Sequence, residues 1–181
     1  MSTSLQGRSK VVRLARNAVM LALAMILSFV EHLLPISAVL PLPGVKLGLA
    51  NVVITVLMFY GNPLDALLVS LCRIGLSALL FGTPVSLMLS AFGGVASYLV
   101  LLCCRPFYKR FFSFVGVSVL SATGHHLGQM IAALILFDTG VLLTYLPVLL
   151  LAGAVVGSVT GLVLNVCGER LEKLFKTGLK E

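Results

Sequence analysis

The stretch LDALLVSLCRIGLSALLF, residues Leu64 to Phe81, decides how this chain folds. At about 1.5 Å per residue it is long enough to cross the hydrocarbon of a bilayer as one helix. Arg73 stands near its middle. A guanidinium stays charged in proteins, and placing one at the centre of a membrane helix costs about 2.5–3.5 kcal/mol. Arg73 must therefore face protein or water rather than lipid. His125, His126 and Gln129 fall at a comparable depth in a later apolar stretch. The pattern is that of a membrane bundle with a polar interior.

Composition agrees. Hydrophobic residues make up 59% of the 181 residues, charged residues 10%, and the mean hydropathy is +1.11, whereas soluble domains carry about 25% charged residues. Apolar runs broken by Pro, Gly or charge predict six helices over about 12–32, 46–60, 64–82, 85–104, 111–137 and 141–166. They form a single integral membrane domain over 1–181, an all-α polytopic bundle. Residues 11–17 are its basic cytoplasmic lead-in and 168–181 an amphipathic cytoplasmic tail, with Leu171, Leu174 and Phe175 towards one face. At this chain length no fused ATPase or nucleotidase domain is expected. The run Ala18 to Val30 has signal-peptide dimensions, but Leu14 to Leu34 reaches spanning length, so retention as the first span is expected.

The net charge of +7 obeys the positive-inside rule and does not call for nucleic acid. Arg8, Lys10, Arg13 and Arg16 precede the first span; Arg105, Lys109 and Arg110 fall in one loop; Arg170, Lys173, Lys176 and Lys180 follow the last span. With six spans all of these face the cytoplasm, which predicts a plasma-membrane protein with both termini inside. The loop from Pro35 to Val45, rich in Pro and apolar residues, is expected to cap the outer mouth of the bundle.

Several constellations bear on function. His125 and Gln129 are four apart and share a helix face, beside a small-residue stripe of Gly124, Gly128 and Ala132. Adjacent histidines point about 100° apart on a helix, and no His, Cys or carboxylate set completes a metal site. Gly153, Gly157 and Gly161 repeat every four residues in the last span, as do Ser86, Ser90 and Gly94 in the fourth, spacings that permit close helix packing. Ala18 and Ala22 give the first span the same geometry. Cys72, Cys103, Cys104 and Cys167 lie in or beside apolar runs without metal or redox spacing. A prenyl diphosphate synthase would need clustered aspartates to hold Mg²⁺ against a diphosphate, and Asp65 and Asp138 stand apart. With no catalytic motif and no cofactor motif, the chain reads as a non-enzyme.

The run from Leu42 to Asn51, LPGVKLGLAN, together with Arg73, Gly82-Thr83, Ser90, Gly93-Gly94, His125 and Gly128-Gln129, resembles the Gx transporter family, also labelled heptaprenyl diphosphate synthase component I. The family in turn resembles the substrate-binding S components of energy-coupling-factor (ECF) vitamin transporters. The resemblance implies capture of a small vitamin-like, polar or anionic solute from outside, with a membrane scaffold and two ATPase subunits as partners. It also implies that Ala18 and Ala22 dock the scaffold. Lys46, Asn51, Arg73, Thr83, Ser90, His125 and Gln129 are expected to line the solute site. The alternative is an accessory membrane protein of heptaprenyl diphosphate and menaquinone synthesis, or of flavin-based extracellular electron transfer, with a prenyl synthase or redox protein as partner.

Overall fold

The computed structural model describes residues 2–34, 45–108 and 110–177, and among these the chain is helical. In chain order the helices are α1 (Ser2–Leu33), α2 (Asn51–Tyr60), α3 (Pro63–Phe81), α4 (Pro84–Cys104), α5 (Phe114–Phe137) and α6 (Leu146–Thr177), with short 3-10 turns at Arg105–Phe107 and Gly140–Tyr145. Local chemistry sets these ends. Asn62, Thr83 and Ser113 accept the backbone N–H of Leu64, Ser86 and Gly116, and Pro63 and Pro84 open the first turns of α3 and α4, where a missing N–H costs nothing. Asp138 closes α5 in the left-handed conformation.

Five helical segments are long and apolar enough to cross a membrane: Lys10–Leu33, Pro63–Phe81, Pro84–Phe107, Phe114–Phe137 and Gly140–Phe175. The expected second span, 46–60, is only half helix. Gly48 has φ +85°, a conformation no helix accommodates, so α2 begins at Asn51 and its ten residues cover only about 15 Å. The irregular segment before it, at Val45, Lys46, Gly48 and Ala50, is buried, as non-helical backbone at membrane depth must be. Apart from Val45, the expected capping loop lies outside the described residues. The expected separate tail helix is instead the continuation of α6. Phe175 packs near Tyr60, 6.2 Å between ring centroids, while Leu174 is exposed, which splits the predicted apolar face.

Helix α5 is the centre of the bundle and packs most extensively against α4 and α6. A Cβ on Gly157 would sit 2.7 Å from Val119 Cα, and one on Gly161 would sit 2.3 Å from Val115 Cα. The glycine stripe of α6 therefore lies directly on α5 backbone. Helices α1 and α3 run parallel at the edge. Arg13 and Arg16 meet Asp65, Met25 meets Ser77, and Phe29 meets Phe81. Arg16 also stacks over Phe175, 4.7 Å from the ring centroid, so the start of α1 and the end of α6 share one end of the bundle. Two apolar clusters divide the core. One, with Leu57, Leu101, Phe114 and Phe175, fills that basic end; the other, with Val45, Leu89, Met130 and Leu149, fills the opposite end.

Candidate functional site

Between the apolar clusters lies a layer of buried polar side chains. Arg73 of α3 is 2% exposed. Its Nη1 donates to Ser28 Oγ of α1 at 3.4 Å, while Nε and Nη2 close no hydrogen bond among the described residues. Glu31 is three residues beyond Ser28 on the same face of α1, and its Oε1 accepts the backbone N–H of Gly48. Its Oε2 is without a partner. Glu31 is close enough to Arg73 and Lys46 for all three charges to interact. Lys46, in the irregular segment before α2, is 8% exposed.

His125 of α5 sits between two glycines. A Cβ on Gly93 of α4 would lie 2.8 Å from its Cε1 and Nδ1, and one on Gly48 would lie 3.2 Å from its Cδ2 and 2.8 Å from Asn51 Nδ2. At Gly93 only hydrogen fits with the imidazole where it is, and at Gly48 the contact is tight. The side chain of Gln129, one turn along, also borders Gly93. His126 turns away from this group towards α6, where its Cδ2 would be 2.6 Å from a Cβ on Gly153. It lies beside Gln129, and His125 lies beside the Gly93 backbone, without a hydrogen bond closing in either case. Asn51 Nδ2, Ser90 Oγ, both imidazoles and the Gln129 amide are all buried and have no hydrogen-bond partner among the described residues. Buried polar groups in folded proteins are nearly always satisfied, by protein or by ordered water, so such a concentration of them is unusual.

Of the residues expected to line a solute site, Lys46, Asn51, Arg73, Ser90, His125 and Gln129 fall in this buried layer. Thr83 does not: it is exposed and its hydroxyl caps α4. Ala18 and Ala22 are exposed on the outer face of α1. Ser28 joins the layer unforeseen in the sequence, and so does Glu31, which with Asp138 reads there as one of the two acidic residues nearest Arg73 on the outer side but not at its depth. The signal was present in the spacing of Ala24, Ser28 and Glu31, which places the three on one helical face turned inward. Asp65, treated as an isolated carboxylate, is clamped by Arg13 (2.6 and 2.9 Å) and Arg16 (3.1 Å).

Two cavities among the described residues lie elsewhere. One, about 410 Å³, is an apolar groove between α4 and α5 lined by Phe92, Val95, Leu99 and Ile131. The other, about 370 Å³, opens at the basic end beside Tyr108, Arg110 and Asn165. No group of three or more His, Cys, Asp or Glu side chains among the described residues is placed to hold a metal ion.

The family model described as heptaprenyl diphosphate synthase component I matches residues 20–167. The chain belongs to that family. The match runs from α1 into α6 and takes in every member of the buried polar layer. No curated protein and no solved structure matches the chain. It is thus a multi-pass membrane protein of the component I family, with a polar layer buried between two apolar cores.

Proposed function

We propose that this protein is the membrane-embedded substrate-binding component of an ECF-type uptake system. It takes a small polar or anionic organic solute from outside and passes it inward with a scaffold protein and two ATPase subunits. The observation that carries this reading is the buried layer itself: Arg73, Asn51, His125 and Gln129 present donors without partners among the described residues, and the two cations, Arg73 and Lys46, face one carboxylate, Glu31. Such a layer destabilises an empty bundle. A bound solute that satisfies it accounts for its cost. The protein sits in the plasma membrane with both termini cytoplasmic, in accord with the cations gathered at one end. The exposed Ala18 and Ala22 leave a shallow shelf on α1 for the scaffold.

The test is recovery of the tagged protein from native membranes, with partners identified by mass spectrometry. A membrane scaffold with paired ATPases, lost on Ala18→Leu/Ala22→Leu, supports the reading. Recovery of a soluble prenyl diphosphate synthase or a redox protein alone overturns it and favours a second. That second reading is a non-catalytic subunit that holds a synthase component at the membrane. The family description as component I of a synthase favours it, as does the engagement of Asp65 with arginines instead of a metal-holding cluster.

A further inference from the structure

Two arginines in this fold can be compared directly. Arg13 turns its Nε and Nη2 towards the Asp65 carboxylate, with Nε 2.9 Å from both oxygens and Nη2 2.6 Å from Oδ1. That edge of a guanidinium carries two parallel N–H groups, spaced to meet the two oxygens of one carboxylate. Among the described residues, nothing fills the same edge of Arg73. Its Nη1 is committed to Ser28, and Nε and Nη2 are the two atoms left without a partner in a side chain 2% exposed. Glu31 does not fill this place, because its Oε1 is held by the Gly48 backbone and its Oε2 meets no donor among the described residues.

Charge selects among oxyanions. Lys46 and Arg73 bring two positive charges to the buried layer and Glu31 one negative charge. A single carboxylate brings the layer to neutrality. A diphosphate would leave a buried excess of negative charge, which interiors tolerate poorly. The remaining unpartnered groups, the His125 imidazole, the Gln129 amide and Asn51 Nδ2, offer both donors and acceptors and suit an uncharged polar body.

Resting on the solute-binding reading above, we infer that the ligand is an organic monocarboxylate. Its carboxylate docks on the Nε and Nη2 edge of Arg73, its uncharged polar portion lies against His125 and Gln129, and diphosphates are excluded. The experiment is a thermal-shift screen of the full-length purified protein. The probes are matched small-molecule carboxylates and their primary amides, together with inorganic diphosphate, read on wild type, Arg73→Lys and Arg73→Met.

At least one carboxylate is expected to raise the melting temperature of wild type where its amide does not. Arg73→Lys, which keeps the charge but loses the fork, is expected to weaken that carboxylate about 10- to 100-fold. Arg73→Met is expected to abolish the shift while eluting as a monodisperse protein, and if Arg73→Met fails to fold, Arg73→Lys carries the test. Stabilisation by diphosphate, or by amides as strongly as by acids, overturns the inference and leaves solute binding standing. No shift of wild type by any probe overturns both.

Discussion

Alanine at Gly75, Gly48 and Gly161 is expected to move stability in opposite directions, because the same added methyl group meets three different surroundings. At Gly75, inside α3, a Cβ would find nothing within 4 Å. The change removes only the entropy cost of glycine in a helix, so about 0.5–1 kcal/mol of stability is gained. At Gly48, φ is +85° and the new Cβ would stand 2.8 Å from Asn51 Nδ2 and 3.2 Å from the His125 ring. The left-handed backbone alone costs an L-residue about 1–2 kcal/mol. The side-chain tip of Asn51 can yield, so the net loss stays near that range. At Gly161 the Cβ would meet Val115 Cα at 2.3 Å, Val115 N at 2.7 Å and Phe114 O at 2.9 Å. All three are backbone atoms, and carbon atoms pack at about 3.5–4.0 Å. Helices α5 and α6 must then separate by on the order of 1 Å, at a cost at or above the 1–3 kcal/mol typical of overpacking. Melting in a single detergent should therefore rank Gly75→Ala above wild type, wild type above Gly48→Ala, and Gly161→Ala lowest. Gly161→Ala as stable as Gly75→Ala would refute the direct seating of α6 on α5.

Two further outcomes follow from the basic end of the bundle. Asp65→Asn should destabilise the protein by about 1–3 kcal/mol, less than a fully buried ion pair would, because Arg13 keeps 44% of its side-chain exposure and regains water when released. A double-mutant cycle with Arg13→Ala should show coupling of about 1 kcal/mol or more, and additive losses would mean that the clamp is absent in the membrane. Tyr108 lies in the turn between α4 and α5, where burial, then Tyr60 and Glu172, push its phenol up to about 12. Between the unfolded value near 10 and that point the unfolded chain holds fewer protons, so stability falls as pH rises through this window. Tyr108→Phe should flatten that alkaline decline in a pH series of melting curves; an unchanged slope would contradict the burial of the hydroxyl.

Much of this architecture is legible in the sequence because a membrane core penalises both stray charge and unpaired backbone. Arg73 alone announces a polar interior, and the four-residue repeat of Gly153, Gly157 and Gly161 announces the α5 and α6 contact. The half-length of α2 was hidden, since the apolar run from Val45 to Tyr60 has the hydropathy of a span and only the left-handed Gly48 breaks it. Hydropathy does not register φ. The depth of Glu31, one of the two acidic residues nearest Arg73 on the outer side in the sequence reading, was hidden for a related reason. Near the end of α1 it reads as a residue at the membrane surface, yet its carboxylate is drawn inward by the Gly48 N–H. Asp65 escaped because its partners are 49 and 52 residues away in sequence and meet it only through the parallel pairing of α1 and α3. Thr83 was drawn into the expected site by the family resemblance, while its position just before Pro84 already marks it as a helix cap.

Solute capture requires that the buried layer receive a guest. An experimental density map of the protein, purified gently from its native membrane and resolved well enough to place side chains around Arg73, tests this most directly. The account predicts non-protein density against Arg73 Nε and Nη2 and within reach of His125 and Gln129. Arg73 closed onto Glu31, with the helices packed tightly around the pair and no density beside them, would contradict it.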